Sequence, residues 1–158
     1  MFQIGDKVVY PMHGAGTIEA IEEREVLGQL RKYYVMRLPI GDMKVMVPIS
    51  NVQDIGLRQV IDSQSVERVL CILSDRSNTM TATWNRRYRA NMDKIRSGNI
   101  FEVAEVVKNL VLREKDKGLS TGEKKMLENA RQILISELVL AGNQKEEDVN
   151  SLIQGVMA

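Results

Sequence analysis

The residues of this chain that could do chemistry are few and unevenly placed. The stretch Thr83–Arg96, reading TWNRRYRANMDKIR, holds the one tryptophan among the 158 residues. Between residues 84 and 98, Arg86, Arg87, Arg89, Lys94 and Arg96 stand against a single acid, Asp93. That is a sharp local excess of positive charge in a chain whose net charge is only +1. Wound as a helix, Trp84, Tyr88, Met92 and Ile95 fall on one stripe. Arg86, Arg89 and Arg96 lie along one flank of it, and Arg87 and Lys94 along the other. Such cations pair with phosphates and release counterions. A flat indole stacks on an unpaired base, worth about 1–3 kcal/mol, or wedges at a base step in the minor groove. Neither interaction needs a sequence code. Three or four phosphate contacts predict a log–log salt slope of about −3. That is a weak grip, useful beside a second attachment point. The same stripe also describes a core helix with snorkelling arginines, which is the reading for Tyr88 and Ile95. Trp84, at the helix start after a polar loop, fits either side.

A second cationic group, Lys124, Lys125 and Arg131, shares a broad face of the helix that opens at Ser120. A solvated surface face looks the same. Met126, Leu127, Ala130, Ile133, Leu134, Leu138 and Val139 of that helix are expected core.

Enzyme chemistry finds little to use. His13 stands alone in a Pro/Gly turn, and Cys71 lies on the apolar face of a helix, where a thiol behaves as a small hydrophobe. No Gly-rich phosphate loop is present. The pairs Glu22–Glu23 and Glu146–Glu147 are adjacent and solvated. With one Cys and one His there is no internal disulfide and no structural zinc site, and no cofactor is expected. No apolar run is long enough for a membrane span, and the start of the chain carries no secretory pattern. A cytoplasmic setting is therefore expected.

The elements that must position these residues change character near residue 60. Up to residue 56 the texture is β: Lys7–Tyr10, Thr17–Val26 with Ile18, Ala20 and Arg24 on one face, Tyr33–Leu38, and Lys44–Pro48. Gly28 marks one turn, and Pro39, Gly41 and Asp42 another. Short strands in so few residues suggest a strongly bent, SH3-like barrel. A unit this small needs support from the helices or from a partner. Pro48 cannot donate to a ladder, so Lys44–Pro48 suits an edge. An unpaired edge can accept another chain's strand. Beyond residue 60 the pattern is helical: Val66–Leu73, a polar loop over 75–83, and Arg86–Arg96 closed by Gly98. Ile100–Lys117 follows after the pair Asn99 and Glu102, and a long helix runs through Leu140 after the capping box Ser120 and Glu123. A last helix, Glu146–Met157, follows Asn143, with Val149, Leu152, Ile153 and Val156 facing inward.

Four stretches together resemble the CarD/CdnL family of bacterial transcription regulators. They are GDKVVYPMHGAG (Gly5–Gly16), KVMVP (Lys44–Pro48), TWNRRYRANMDKI (Thr83–Ile95) and GLSTGEKKMLENARQILISEL (Gly118–Leu138). The resemblance covers residues 1–142 and implies an α+β, two-domain fold. A small Tudor-like (SH3-like) β domain over residues 1–56 would be followed by a compact all-helical, DNA-binding domain over 57–158. It implies that the β domain docks on the RNA polymerase β subunit by strand addition. Arg24, Met46 and Pro48 match contact positions there; Met46 stands where some members carry arginine and others methionine. The helical domain would reach promoter DNA at the upstream edge of the melted bubble. Trp84 would wedge into the minor groove with Met92 beside it in an apolar patch. Arg86, Arg87, Arg89, Lys94, Lys124 and Lys125 would supply phosphate contacts with little sequence preference. The implied result is a more stable open promoter complex. A monomer is expected, with edge pairing or swapping between two copies as its rival. The competing functional reading is a protein-interaction adaptor of the transcription machinery that never touches DNA.

Overall fold

The computed structural model describes residues 2–77 and 83–158. The first part is a five-stranded antiparallel sheet in the order β4-β3-β2-β1-β5. Its strands are β1 (Lys7–Tyr10), β2 (Gly14–Val26), β3 (Gln29–Arg37), β4 (Lys44–Pro48) and β5 (Arg58–Gln59). A 3-10 turn, Ile49–Asn51, and a short helix α1 (Val52–Ile55) connect β4 to β5. The helices α2 (Ser63–Ser74), α3 (Trp84–Arg96), α4 (Ile100–Asp116), α5 (Thr121–Gly142) and α6 (Glu146–Met157) follow. This is the Tudor-like sheet plus helical unit that the resemblance implies.

β1 and β4 lie where the residue pattern places them. β2 and β3 are longer than expected and meet at Leu27–Gly28, both with positive φ (53° and 77°). Two left-handed residues give a hairpin turn whose twist matches its strands. A register shift between Ile18 and Ala20 breaks the simple alternation expected there. The sheet also continues past residue 56, because Leu57 joins its core and Arg58–Gln59 pairs with β1.

The helix starts follow their caps. Asn99 Oδ1 accepts the Phe101 N–H at 2.9 Å, and Ser120 Oγ accepts the Glu123 N–H at 3.2 Å. Asn143 does something else: it takes a left-handed conformation (φ 50°) that closes α5, and the residue before α6 is Lys145. Asn tolerates that conformation better than most residues. In α6 the inward residues are Val149, Ile153 and Met157, while Leu152 is exposed. Cys71 is exposed as well, on the outer side of α2. Residues 78–82 of the expected polar loop lie outside the described residues.

Two cores form. Val8, Ile18, Tyr34, Met36, Val47 and Leu57 fill the sheet's own core, covered by α1. The helices enclose a larger one, centred on Leu73, Ile95, Val107, Leu110, Leu134 and Ile153. On the other side of the sheet, Val9, Ala15 and Val35 are also buried. There α5 packs against β2. The Ala15 N–H donates to Ser136 Oγ at 2.9 Å. Gly14 lies so close that a Cβ would stand 2.8 Å from Ser136 Oγ, and its φ of +107° also demands glycine. Lys7 Nζ reaches the Leu140 carbonyl at 3.1 Å. Arg58 grips the fully buried Glu137 through both carboxylate oxygens, at 2.8 and 2.7 Å, and donates to the Gly98 carbonyl at 2.9 Å. The Ile61 N–H adds a third bond to Glu137, at 2.9 Å. The support the sheet needs therefore comes from the helices of its own chain. No described helix is long and apolar enough to cross a membrane.

Candidate nucleic-acid interface

The starts of α3 and α5 meet. Trp84 opens α3 and is 43% exposed. Its indole Nε1–H donates to Ser120 Oγ at 3.0 Å. One face of the ring stacks on Tyr88, with centroids 5.0 Å apart and planes inclined by 20°. Gly122 passes beside both rings; a Cβ there would lie 3.7 Å from each. Thr83, before α3, makes no side-chain cap, and the first turn of α3 holds no acid. Two helix N-termini thus converge at this point, each carrying partial positive charge.

Around this ring the candidate cations divide. Arg86, Arg89, Lys124 and Lys125 are exposed. Arg87 is not; it is 6% exposed and points into the protein. Its Nε donates to Glu123 Oε2 at 2.8 Å and its Nη2 to Glu123 Oε1 at 3.2 Å, inside the helical unit. The expectation that Arg87 touches phosphate is therefore corrected: its guanidinium joins α3 to α5. Lys94, on the same flank, is half-buried and pairs with Glu105 of α4 at 3.0 Å. The flank that Arg87 and Lys94 were expected to offer outward thus serves to attach α3 to its neighbours. Met92 is half-buried against the helical core, and Tyr88 rather than Met92 carries the stacking contact with Trp84. Ile95 is core, as expected.

Glu123 is the centre of this attachment. Its carboxyl is held below the ordinary value of 4.5, first by the Arg87 hydrogen bond, which burial opposes, then by the charges of Arg87 and Arg113 and the Ser120 backbone link. Arg113 Nε stands 4.0 Å from Glu123 Oε1. A carboxyl with a lowered folded value stabilises the fold above its unfolded value and loses that contribution as the pH falls through the folded one. Wild type should therefore be more stable than Glu123→Gln at neutral pH. The gap in urea-unfolding free energy should close as pH falls below about 4.5. A gap that stays constant from neutral to acid would contradict this account.

At the far edge of the sheet, β4 pairs with β3 alone among the described residues. Val45 and Val47 turn toward the sheet core, so Met46 and Pro48 alternate onto the other face. Pro48 lies opposite Tyr33. Arg24, in the exposed outer part of β2, pairs with Glu22 at 3.2 Å. These three residues belong to the sheet, and the Trp84 group belongs to the helices. The opposite edge, β5, is the one fastened to Glu137.

Residue spacing does not reveal the Trp84–Ser120 bond or the Arg87–Glu123 pair, both of which span 36 positions. The capping box does place Ser120 and Glu123 on one turn, but nothing local ties that turn to α3.

Comparison with known proteins agrees with this division. Residues 2–61 match the CarD-like/TRCF RID domain, and residues 68–154 match the CarD C-terminal domain. The chain is 45% identical over 151 residues to "Putative transcription factor YdeB" of Bacillus subtilis (strain 168), covering 96% of this chain and 99% of that one. It is also similar to the 72-residue N-terminal domain of Myxococcus xanthus CarD, solved by NMR in solution, at 39% identity. That match covers 37% of this chain and 79% of the other, with a TM-score of 0.33. The chain belongs to the CarD-like family of transcription factors and carries that family's RNA polymerase-interacting domain at its N-terminal end.

Proposed function

We propose that this protein stabilises the open promoter complex, with its sheet docked on the RNA polymerase β subunit and Trp84 wedged in the minor groove at the upstream edge of the bubble. One observation carries the reading: an exposed indole at the meeting point of two helix N-termini, with Arg86, Arg89, Lys124 and Lys125 exposed on the same two helices. Cations in the first half of α3 work against the helix dipole, at about 0.3–1 kcal/mol each. An arrangement that costs the helix stability makes sense where an anionic backbone compensates for it. Arg24, Met46 and Pro48, with the unpaired edge of β4, offer the polymerase contact by strand addition. Docking would present DNA to the helices at high effective concentration, which suits a weak, sequence-indifferent grip.

A wedge shifts the closed-to-open equilibrium only by its difference in affinity for the two states. If that difference is about 1–2 kcal/mol, the open-to-closed ratio rises roughly 5–30-fold. The test is open-complex lifetime on a promoter with cognate RNA polymerase, comparing no protein, wild type and Trp84→Ala. Wild type should lengthen the lifetime, and Trp84→Ala should lose most of the gain while still binding polymerase. If both proteins bind polymerase and neither changes the lifetime, the adaptor reading replaces this one.

A further inference from the structure

We infer that Ser120 is a positioning residue for Trp84, holding the indole at a fixed angle with its N–H already occupied. The inference rests on the wedge reading of Trp84 and goes a step beyond it.

The hydroxyl of Ser120 has one proton to donate and two lone pairs with which to accept. Here all three are used. The oxygen accepts the Glu123 backbone N–H at 3.2 Å and the Trp84 indole N–H at 3.0 Å, and its proton points to Glu123 Oε1 at 3.4 Å. Glu123 is itself fixed by Arg87 from α3. The ring is thus tied at its N–H edge to a helix cap, and that cap is tied back to the ring's own helix. Tyr88 covers one face. What is left for a ligand is the uncovered apolar surface.

Two consequences follow. An indole whose N–H is engaged within the protein reaches a base edge only by giving up Ser120, which favours shape and stacking over base identity. A ring already ordered also loses little conformational freedom on insertion, which leaves more of the contact energy for binding.

Because the ring is the one tryptophan in the chain, its own fluorescence reports the positioning without DNA. Time-resolved anisotropy should show little fast wobble in wild type and at least about a twofold larger wobble amplitude in Ser120→Gly, where the hydrogen bond is gone. Glycine is a tolerated N-cap, so the helix start survives the change. Ser120→Thr keeps a hydroxyl acceptor and should restore the wild-type decay. In the open-complex assay, Ser120→Gly should lose roughly fivefold of the lifetime gain, the usual worth of one hydrogen bond, and Ser120→Thr should recover it. The inference is overturned if Ser120→Gly wobbles no more than wild type, if Ser120→Thr fails to rescue, or if the wobble rises with the lifetime gain intact. A full gain with Trp84→Ala overturns the wedge reading instead, and does so whatever the anisotropy shows.

Discussion

Glu137→Ala is expected to lower the unfolding free energy by about 3 kcal/mol, the lower end of the 3–5 kcal/mol typical for breaking a buried ion pair from one side. Glu137 is fully buried and accepts two bonds from Arg58 and one from the Ile61 N–H. Removing it strands the Ile61 donor and a guanidinium inside the junction. The Arg58 side chain is 31% exposed, so it can turn partly toward water, which is why the lower end applies. Glu137→Gln keeps one acceptor and should cost roughly half as much. Urea denaturation followed by circular dichroism measures both. A loss below about 1 kcal/mol for the alanine variant would show that the junction is held by other contacts. Coincidence between the circular dichroism and Trp84 fluorescence transitions is a second readout. Circular dichroism averages the whole chain, whereas the tryptophan reports the helices alone. In wild type the two should coincide, and in Glu137→Ala they should separate as the sheet loses its fastening.

Arg87→Ala and Arg86→Ala, one residue apart, should behave as opposites. Arg87→Ala leaves the Glu123 carboxylate, 1% exposed, with the Ser120 hydroxyl at 3.4 Å and Arg113 at 4.0 Å in place of its guanidinium clamp. That should cost about 3–5 kcal/mol of stability. Arg86 is exposed, so Arg86→Ala should stay within about 0.5 kcal/mol of wild type in stability. On forked DNA, Arg86→Ala should lower the magnitude of the log–log salt slope by about one, as expected for one lost phosphate contact. Arg87→Ala, which removes no exposed cation, should leave that slope alone wherever the protein stays folded. Thermal unfolding and salt titration of fluorescence on the same pair of proteins give both answers. Equal stability losses for the two variants would remove the distinction drawn between an attaching and a presenting arginine.

That distinction also shows where residue patterns stop being informative. A helical wheel fixes the angles between Arg86, Arg87 and Arg89 but not which angle faces the core when every candidate is charged. The answer for Arg87 sits 36 residues away, in Glu123, whose capping role hides its second function. Lys94 likewise has a partner that spacing does not show, since Glu105 lies on the next helix. Local signals fared better wherever the physics is local. The caps Asn99 and Ser120, the edge strand ending in Pro48, and the left-handed Gly98 and Gly118 are all where their chemistry requires them. Asn143 misleads because one side chain type suits both a helix start and a left-handed helix end. β5 carries too few residues for any period to show, and only its pairing with β1 defines it. For the candidate site, the tryptophan and the cations around it were legible as residue types, while which of them are exposed, and the Ser120 and Tyr88 contacts, needed the tertiary structure.

The junction between sheet and helices also sets a timetable for synthesis. Ala15 and Ser136 are 121 positions apart, and Lys7 and Leu140 are 133 apart. At about 5–20 residues per second, a ribosome completes the strands many seconds before it delivers the helix that covers them. During that interval Val9, Ala15 and Val35 have no α5 to bury them, and both edges of the nascent sheet are open. Such a surface invites pairing with neighbouring chains. The charged residues along the outer part of the β2–β3 hairpin, from Glu22 to Lys32, keep that stretch of the waiting sheet solvated.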